Sequence, residues 1–117
     1  MSGIVSTTLE CWFYAPSPTT TEQTIINNGL NTNGYGVFLS GNGATDGHLY
    51  GLFNNVRWID TQITIRADEW HHVALVLSAS SKPTFYLNGY AVFTDAGTEP
   101  TAPTTSSTVG ATKGAGA

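Results

Sequence analysis

Glu69-Trp70-His71-His72-Val73-Ala74-Leu75-Val76-Leu77, followed after a short loop by Phe85-Tyr86-Leu87-Asn88-Gly89-Tyr90-Ala91-Val92-Phe93, decides the fold class of this chain. Residues 73–77 are a run of apolar side chains with no polar alternation, which predicts an inner strand covered on both faces. In the second stretch, Asn88-Gly89 is the dipeptide preferred where a two-residue turn needs φ > 0 twice, and apolar or aromatic residues flank it on both sides. The chain is therefore expected to turn back at Asn88 as a type I′ hairpin.

The neighbouring segments read the same way. Residues 8–14 alternate Leu9, Cys11 and Phe13 against Glu10, Trp12 and Tyr14, a strand with two usable faces. Ala15-Pro16-Ser17-Pro18 ends it, because proline cannot donate to a ladder. Residues 24–28 and 34–40 read as strands joined by an Asn/Gly turn. Gly41-Asn42-Gly43-Ala44-Thr45-Asp46-Gly47 is a polar loop before a strand at 48–53, and Asn54-Asn55 turns the chain again. Residues 57–60 and 62–65 are two short strand candidates, and Arg66-Ala67-Asp68-Glu69 is the one place where a helical turn fits. Short strands at this spacing predict an all-β antiparallel sandwich.

Trp70-His71-His72-Val73-Ala74 with Phe85-Tyr86-Leu87-Asn88-Gly89 resembles the W-H-H-V-A and Y-x-N-G pair of laminin-G-like, concanavalin-A-like jelly-roll domains. Thr8-Leu9-Glu10-Cys11-Trp12-Phe13 is similar to that family's T-I-E-A-W-V strand, and Gly34-Tyr35-Gly36-Val37-Phe38-Leu39-Ser40 to its glycine-rich strand, in the same order. The resemblance implies a jelly-roll β-sandwich in which Trp70, His71, His72, Asn88 and Gly89 are structural, as is Trp12. It also implies terminal strands that are hard to find here. The first is reduced to Ile4-Val5, and Ser107-Thr108-Val109-Gly110-Ala111, which resembles the next strand after the hairpin, has no successor. On that reading the jelly roll is incomplete, its terminal strands cut away or supplied from elsewhere.

A chain of 117 residues makes one domain, able to bury roughly two-thirds of its unfolded surface and fold without staples. Aromatic residues make up 11% and charged residues only 10% of it, so packing material is plentiful and the surface is largely neutral Thr, Asn, Ser and Gly. Arg57, Arg66, Lys82 and Lys113 are scattered against eight acids, and no basic patch exists to collect phosphates, which argues against nucleic acid as a partner. No apolar run of about 18 residues offers a membrane span, and Met1-Ser2-Gly3-Ile4-Val5 lacks the pattern of a signal peptide. Residues 95–106, rich in Thr, Pro and Ala, read as a flexible loop before 107–111. Cys11 is alone, and a buried thiol acting as a small hydrophobe is favoured over an intermolecular bridge or a nucleophile.

The acids do not make a hydrolase. Retaining glycosidases need two carboxylates about 5 to 5.5 Å apart, which on a strand means acids two or four residues apart on one face. Asp68 and Glu69 are adjacent, and Glu10, Glu22, Asp60 and Asp95 are isolated. His71 and His72 point opposite ways on a strand and cannot chelate one ion together, so a structural role is favoured for both. Calcium seeks six to eight oxygens from flexible loops. Asn42 and Asp46 are the candidate metal ligands, with Asp60 and Asp95 behind them. With one carboxylate in the loop, a solvated turn is the favoured reading. Among the aromatic residues, most are assigned to packing. Trp58, in a short polar segment, and Tyr50, beside a glycine-rich loop, are the best surface candidates for stacking on a sugar, with Asn42 and Asp46 as their polar companions.

Three functions follow in order of preference. The first is a non-catalytic, lectin-like recognition or adhesion module whose loops bind glycan or protein. The second is a structural or assembly domain of a phage or surface fibre, a homo-oligomer joined through exposed sheet edges near residues 4–14 or 108–111. A glycosidase is last. The first two place the domain outside the cell, on a cell surface or on a virion.

Overall fold

Alternating burial along each strand builds two sheets with one core between them. The structure, a computed structural model, describes residues 6–15, 21–30, 33–41, 43–54, 57–78, 81–97 and 107–109. Among these residues there are nine strands: β1 (Ser6–Tyr14), β2 (Gln23–Leu30), β3 (Asn33–Leu39), β4 (His48–Phe53), β5 (Arg57–Thr64), β6 (Trp70–Ser78), β7 (Ser81–Leu87), β8 (Tyr90–Thr94) and β9 (Ser107–Val109). One sheet has the order β1-β6-β7-β8 and the other β5-β4-β3-β2-β9. Every pairing is antiparallel. The fold is the all-β antiparallel sandwich of the jelly-roll type that the sequence predicts.

The inner faces supply the core. Val37, Leu39, Leu49, Phe53 and Ile59 from one sheet meet Val73, Leu75, Leu77 and Phe85 from the other. Contact is closest where the Phe85 ring lies against Gly51: a Cβ there would collide with the tip of the ring, so only glycine lets the two layers meet at this point.

The two sides of the sandwich are closed differently. β8 packs near β5, and there Arg57 grips Asp95 through two bonds, Nη1 to Oδ1 at 3.1 Å and Nη2 to Oδ2 at 2.7 Å. The guanidinium lies 5.1 Å from the centre of the Phe53 ring, and Gly97 N–H donates to the same carboxylate. On the other side β1 faces β2, and Leu9, Cys11 and Phe13 are only half-buried although they pack on the core. Burial pushes the Cys11 thiol pKa up, as expected for a packed thiol.

The hairpin is where the sequence places it. Asn88 and Gly89 have φ of 51° and 87°. Asn88 also ties the hairpin to β6: its N–H donates to His72 O, its Oδ1 accepts from His72 N–H, and its Nδ2 reaches His71 Nδ1 at 3.2 Å. His71 is buried, its Nε2 donates to Arg66 O at 2.8 Å, and so Nδ1 is left to accept from Asn88.

Four expectations need correction. Residues 73–77 do form an inner strand, but they are only partly covered on the second face: Val73, Leu75 and Leu77 are buried on one face, and on the other Ala74 is buried while Val76 stays half-exposed. The short helical element is the 3-10 turn Gly43–Thr45, whereas residues 66–69 make a tight turn with Asp68 at φ 61°. The two short strands at 57–60 and 62–65 are one strand, kinked at Gln62 (φ 63°) where the register with β4 shifts. Finally, Trp12 and Trp70 are not core residues: each is 65% exposed and packs against rings on the outer face. The expectations for Ile4-Val5, Pro16–Pro18, Asn55, residues 98–106 and Gly110-Ala111 lie outside the described residues.

Replacing Asn88-Gly89 by Val-Val forces two β-branched residues into φ > 0 and removes the side-chain bonds to β6, a combined cost of about 3–5 kcal/mol. The expected result in a thermal melt is a fall of about 10 °C or more. Asn88→Gly keeps the backbone shape but loses the bonds and should fall by a smaller amount; a double mutant melting with the parent would show that the turn carries no such load.

Candidate functional site: a groove on the five-stranded sheet

Because Val37 and Leu39 point into the core, Phe38 between them must point out. It is nevertheless only 1% exposed. Its cover comes from the same outer face: the Trp58 ring stands edge-on at 5.3 Å, and the Tyr50 ring is 6.2 Å from Trp58. Register explains the grouping, since Thr24, Phe38, Tyr50 and Asp60 stand side by side across β2, β3, β4 and β5, and Leu52 stands opposite Trp58. Gly36 provides room beneath them, because a Cβ there would approach Phe38 Cε1 to 2.8 Å and press on Asn27 Oδ1.

The result is a groove of about 410 Å³ lined by Glu22, Phe38, Leu39, Ser40, Gly41, Tyr50 and Trp58. Its size and its mixture of an aromatic floor with a few polar groups suit a small ligand. Ser40 Oγ is 2.8 Å from Thr45 Oγ1. Asp60 flanks the groove, its Oδ1 3.0 Å from His48 Nδ1 and accepting from Gln62 N–H at 2.7 Å, so the carboxylate is fixed in orientation. Glu22 reaches solvent, yet burial against its surroundings pushes its carboxyl pKa up.

The groove brings together two of the sequence candidates, Trp58 and Tyr50. Asp46 is not among its lining residues, and Asn42 lies outside the described residues. Sequence reading missed Phe38, which looks like core, together with Glu22 and Ser40. A signal for the polar flank was present: His48 and Tyr50, like Trp58 and Asp60, are two residues apart and so share a strand face.

The loop proposed for calcium is folded on itself. Asp46 N–H donates to Gly43 O and Gly47 N–H to Ser40 O. Asp46 Oδ1 is buried with no hydrogen-bond partner among the described residues, the one feature of the loop that suits a cation. Among the described residues no group of three or more acids, histidines or cysteines is placed to hold a metal ion, so a calcium shell of six to eight oxygens would draw mainly on carbonyl and amide oxygens here. Asp60 and Asp95 are engaged by His48 and Arg57.

On the opposite sheet, Trp12 and Trp70 are exposed on the strands, with Trp12 5.2 Å from His72 and Tyr14 5.7 Å from Trp70. His72 Nε2 lies 3.7 Å from Glu10.

A family model of laminin G type, described as the Concanavalin A-like lectin/glucanases superfamily, matches residues 3–117. The chain belongs to this superfamily. Its laminin-G-like domains are typically non-catalytic binding modules, and the fold fits a binding module in general. No curated protein and no solved structure matches the chain. No helix among the described residues is long and apolar enough to cross a membrane.

Adding calcium should leave the melting temperature within about 1 °C of that in chelator, since an ion bound at a hundred times its Kd would add about 2.7 kcal/mol. A rise of several degrees that disappears in Asp46→Asn would assign the ion to this loop.

Proposed function

We propose that the domain is a non-catalytic recognition module that binds carbohydrate in the groove of the five-stranded sheet, with Trp58 and Tyr50 as the stacking surface. The observation that carries this reading is the aromatic group Phe38, Tyr50 and Trp58 on an outer face, where a sandwich needs no aromatic packing. Trp58 is 43% exposed, so one part of the ring covers Phe38 and the rest is open to a ligand. A sugar ring presents an apolar face and a hydroxyl rim, which matches an aromatic floor bordered by Ser40, Glu22 and Asp60. Glu22, Ser40 and Gly41 come from the connecting segments and the aromatic residues from the strands, which moves the stacking surface of the proposal from the loops to the sheet. The reading also keeps the domain's place outside the cell, where glycans are met, as part of the proposal.

The test is a glycan array followed by titration of the strongest hit. Trp58→Ala is expected to weaken that hit at least about tenfold, and Trp58→Phe, which keeps Phe38 covered, to weaken it less. Silence across the array, or a Trp58→Ala protein that binds like the parent, would defeat the reading.

The open side of the sandwich supports a second reading, assembly. Among the described residues β1 is an edge strand of nine residues that carries a single charge and no register shift. Regular, weakly charged edges are prone to pair with another copy. A cavity of about 220 Å³ lies beside it, reached by Cys11, Phe13, Ile25 and Val109. We therefore propose that copies associate along β1. Sedimentation equilibrium should show a concentration-dependent dimer that Thr8→Lys with Trp12→Lys, both on the outer face, converts to a monomer of 12.4 kDa. A parent that stays monomeric at high micromolar concentration would remove this reading.

A further inference from the structure

Charge around the groove is one-sided. Glu22 stands on the β2 side of the aromatic floor and Asp60 on the β5 side, three strand spacings or roughly 14 Å apart. No lysine or arginine lines the groove among the described residues. Arg57 holds Asp95, Arg66 pairs with Glu69 at 3.2 Å, and Lys82 donates to Ala96 O; Lys113 lies outside the described residues. The nearest titratable base is His48, which is bound to Asp60.

Aromatic faces and carboxylates attract the same kind of ligand group. The face of an indole or phenol ring carries negative charge density and draws a cation, and a carboxylate adds a charge-assisted hydrogen bond to an ammonium. An anionic sugar would meet Glu22 in the groove lining and Asp60 beside it, with His48, already bound to Asp60, as the one basic side chain near them among the described residues, an arrangement that disfavours it.

We infer that the groove selects a sugar bearing a protonated amine, an amino sugar with its nitrogen unacylated, over neutral and acidic glycans, with Glu22 as the residue that reads the amine. The inference rests on the carbohydrate reading above. Burial already makes the ionised form of Glu22 costly, and an ammonium against it offsets that cost, so the amine gains where a neutral hydroxyl would not.

The probes are a glucosamine oligomer, its fully N-acetylated counterpart and a uronic-acid oligomer of equal length, titrated by tryptophan fluorescence at about pH 6, below the ordinary range of an amine. The glucosamine oligomer is expected to bind about tenfold tighter than the acetylated one, with the uronic-acid oligomer weakest. In Glu22→Gln, the ratio of the first two affinities should fall to about one. Equal affinities for the amine and acetylated oligomers in the parent, both lost in Trp58→Ala, would overturn the amine selection and leave the carbohydrate reading standing. A preference for the amine that survives Glu22→Gln would overturn the role of Glu22. Absence of binding to all three oligomers, with a silent glycan array, would overturn both.

Discussion

Phe38 is the residue on which the candidate site depends. The pleat of β3 sends Val37 and Leu39 inward and so commits a phenylalanine to the outer face, where leaving it open to water would cost about 1.5–3 kcal/mol. Trp58 and Tyr50 supply the missing cover, and the groove is the space they leave around it. The aromatic floor is thus a packing solution first. In the reading proposed above it serves recognition as well, because Trp58 covers Phe38 and still keeps 43% of its surface exposed.

That solution depends in turn on the sheet keeping its shape. Phe85 resting on Gly51 sets how closely the two layers approach, and the Arg57–Asp95 pair holds the β5 side against the chain after β8. β5 therefore carries two duties along one strand. Arg57 faces the core side beside Phe53, and its neighbour Trp58 faces the groove. The kink at Gln62 comes two residues after Asp60 and brings Gln62 N–H back onto its carboxylate, while Thr61 between them donates its Oγ1 to Leu49 O at 2.7 Å.

Much of this was legible in the residues, for reasons that differ from place to place. Asn88-Gly89 was readable because few dipeptides tolerate two positive φ values, and the strand at His48–Phe53 appeared with its bounds. Trp58 and Tyr50 stood out through their polar and glycine neighbours. The exposure of Trp12 and Trp70 was hidden, since β1 carries large rings on both faces, Phe13 on one and Trp12 and Tyr14 on the other, and Trp70 stands opposite Tyr14. The kink in β5 was hidden too, because Gln62 reaches positive φ without glycine to announce it. Glu22 gave no signal, as its position depends on a pairing between β2 and β3 that bulges near Thr24.

The register of β1 has a consequence for how the chain reaches this structure. Ser6 lies opposite Ser78 and Tyr14 opposite Trp70, so the first strand finds its partner only after most of the polypeptide has been laid down. The pairings β3 with β4, β4 with β5, β6 with β7 and β7 with β8 are between neighbours in the chain and close short loops. Local ribbons form at lower entropic cost than distant pairings. The two meanders thus constitute the early structure, and β1 is a late addition: during synthesis its alternating Leu9, Cys11 and Phe13 must wait, uncovered, for β6 to emerge.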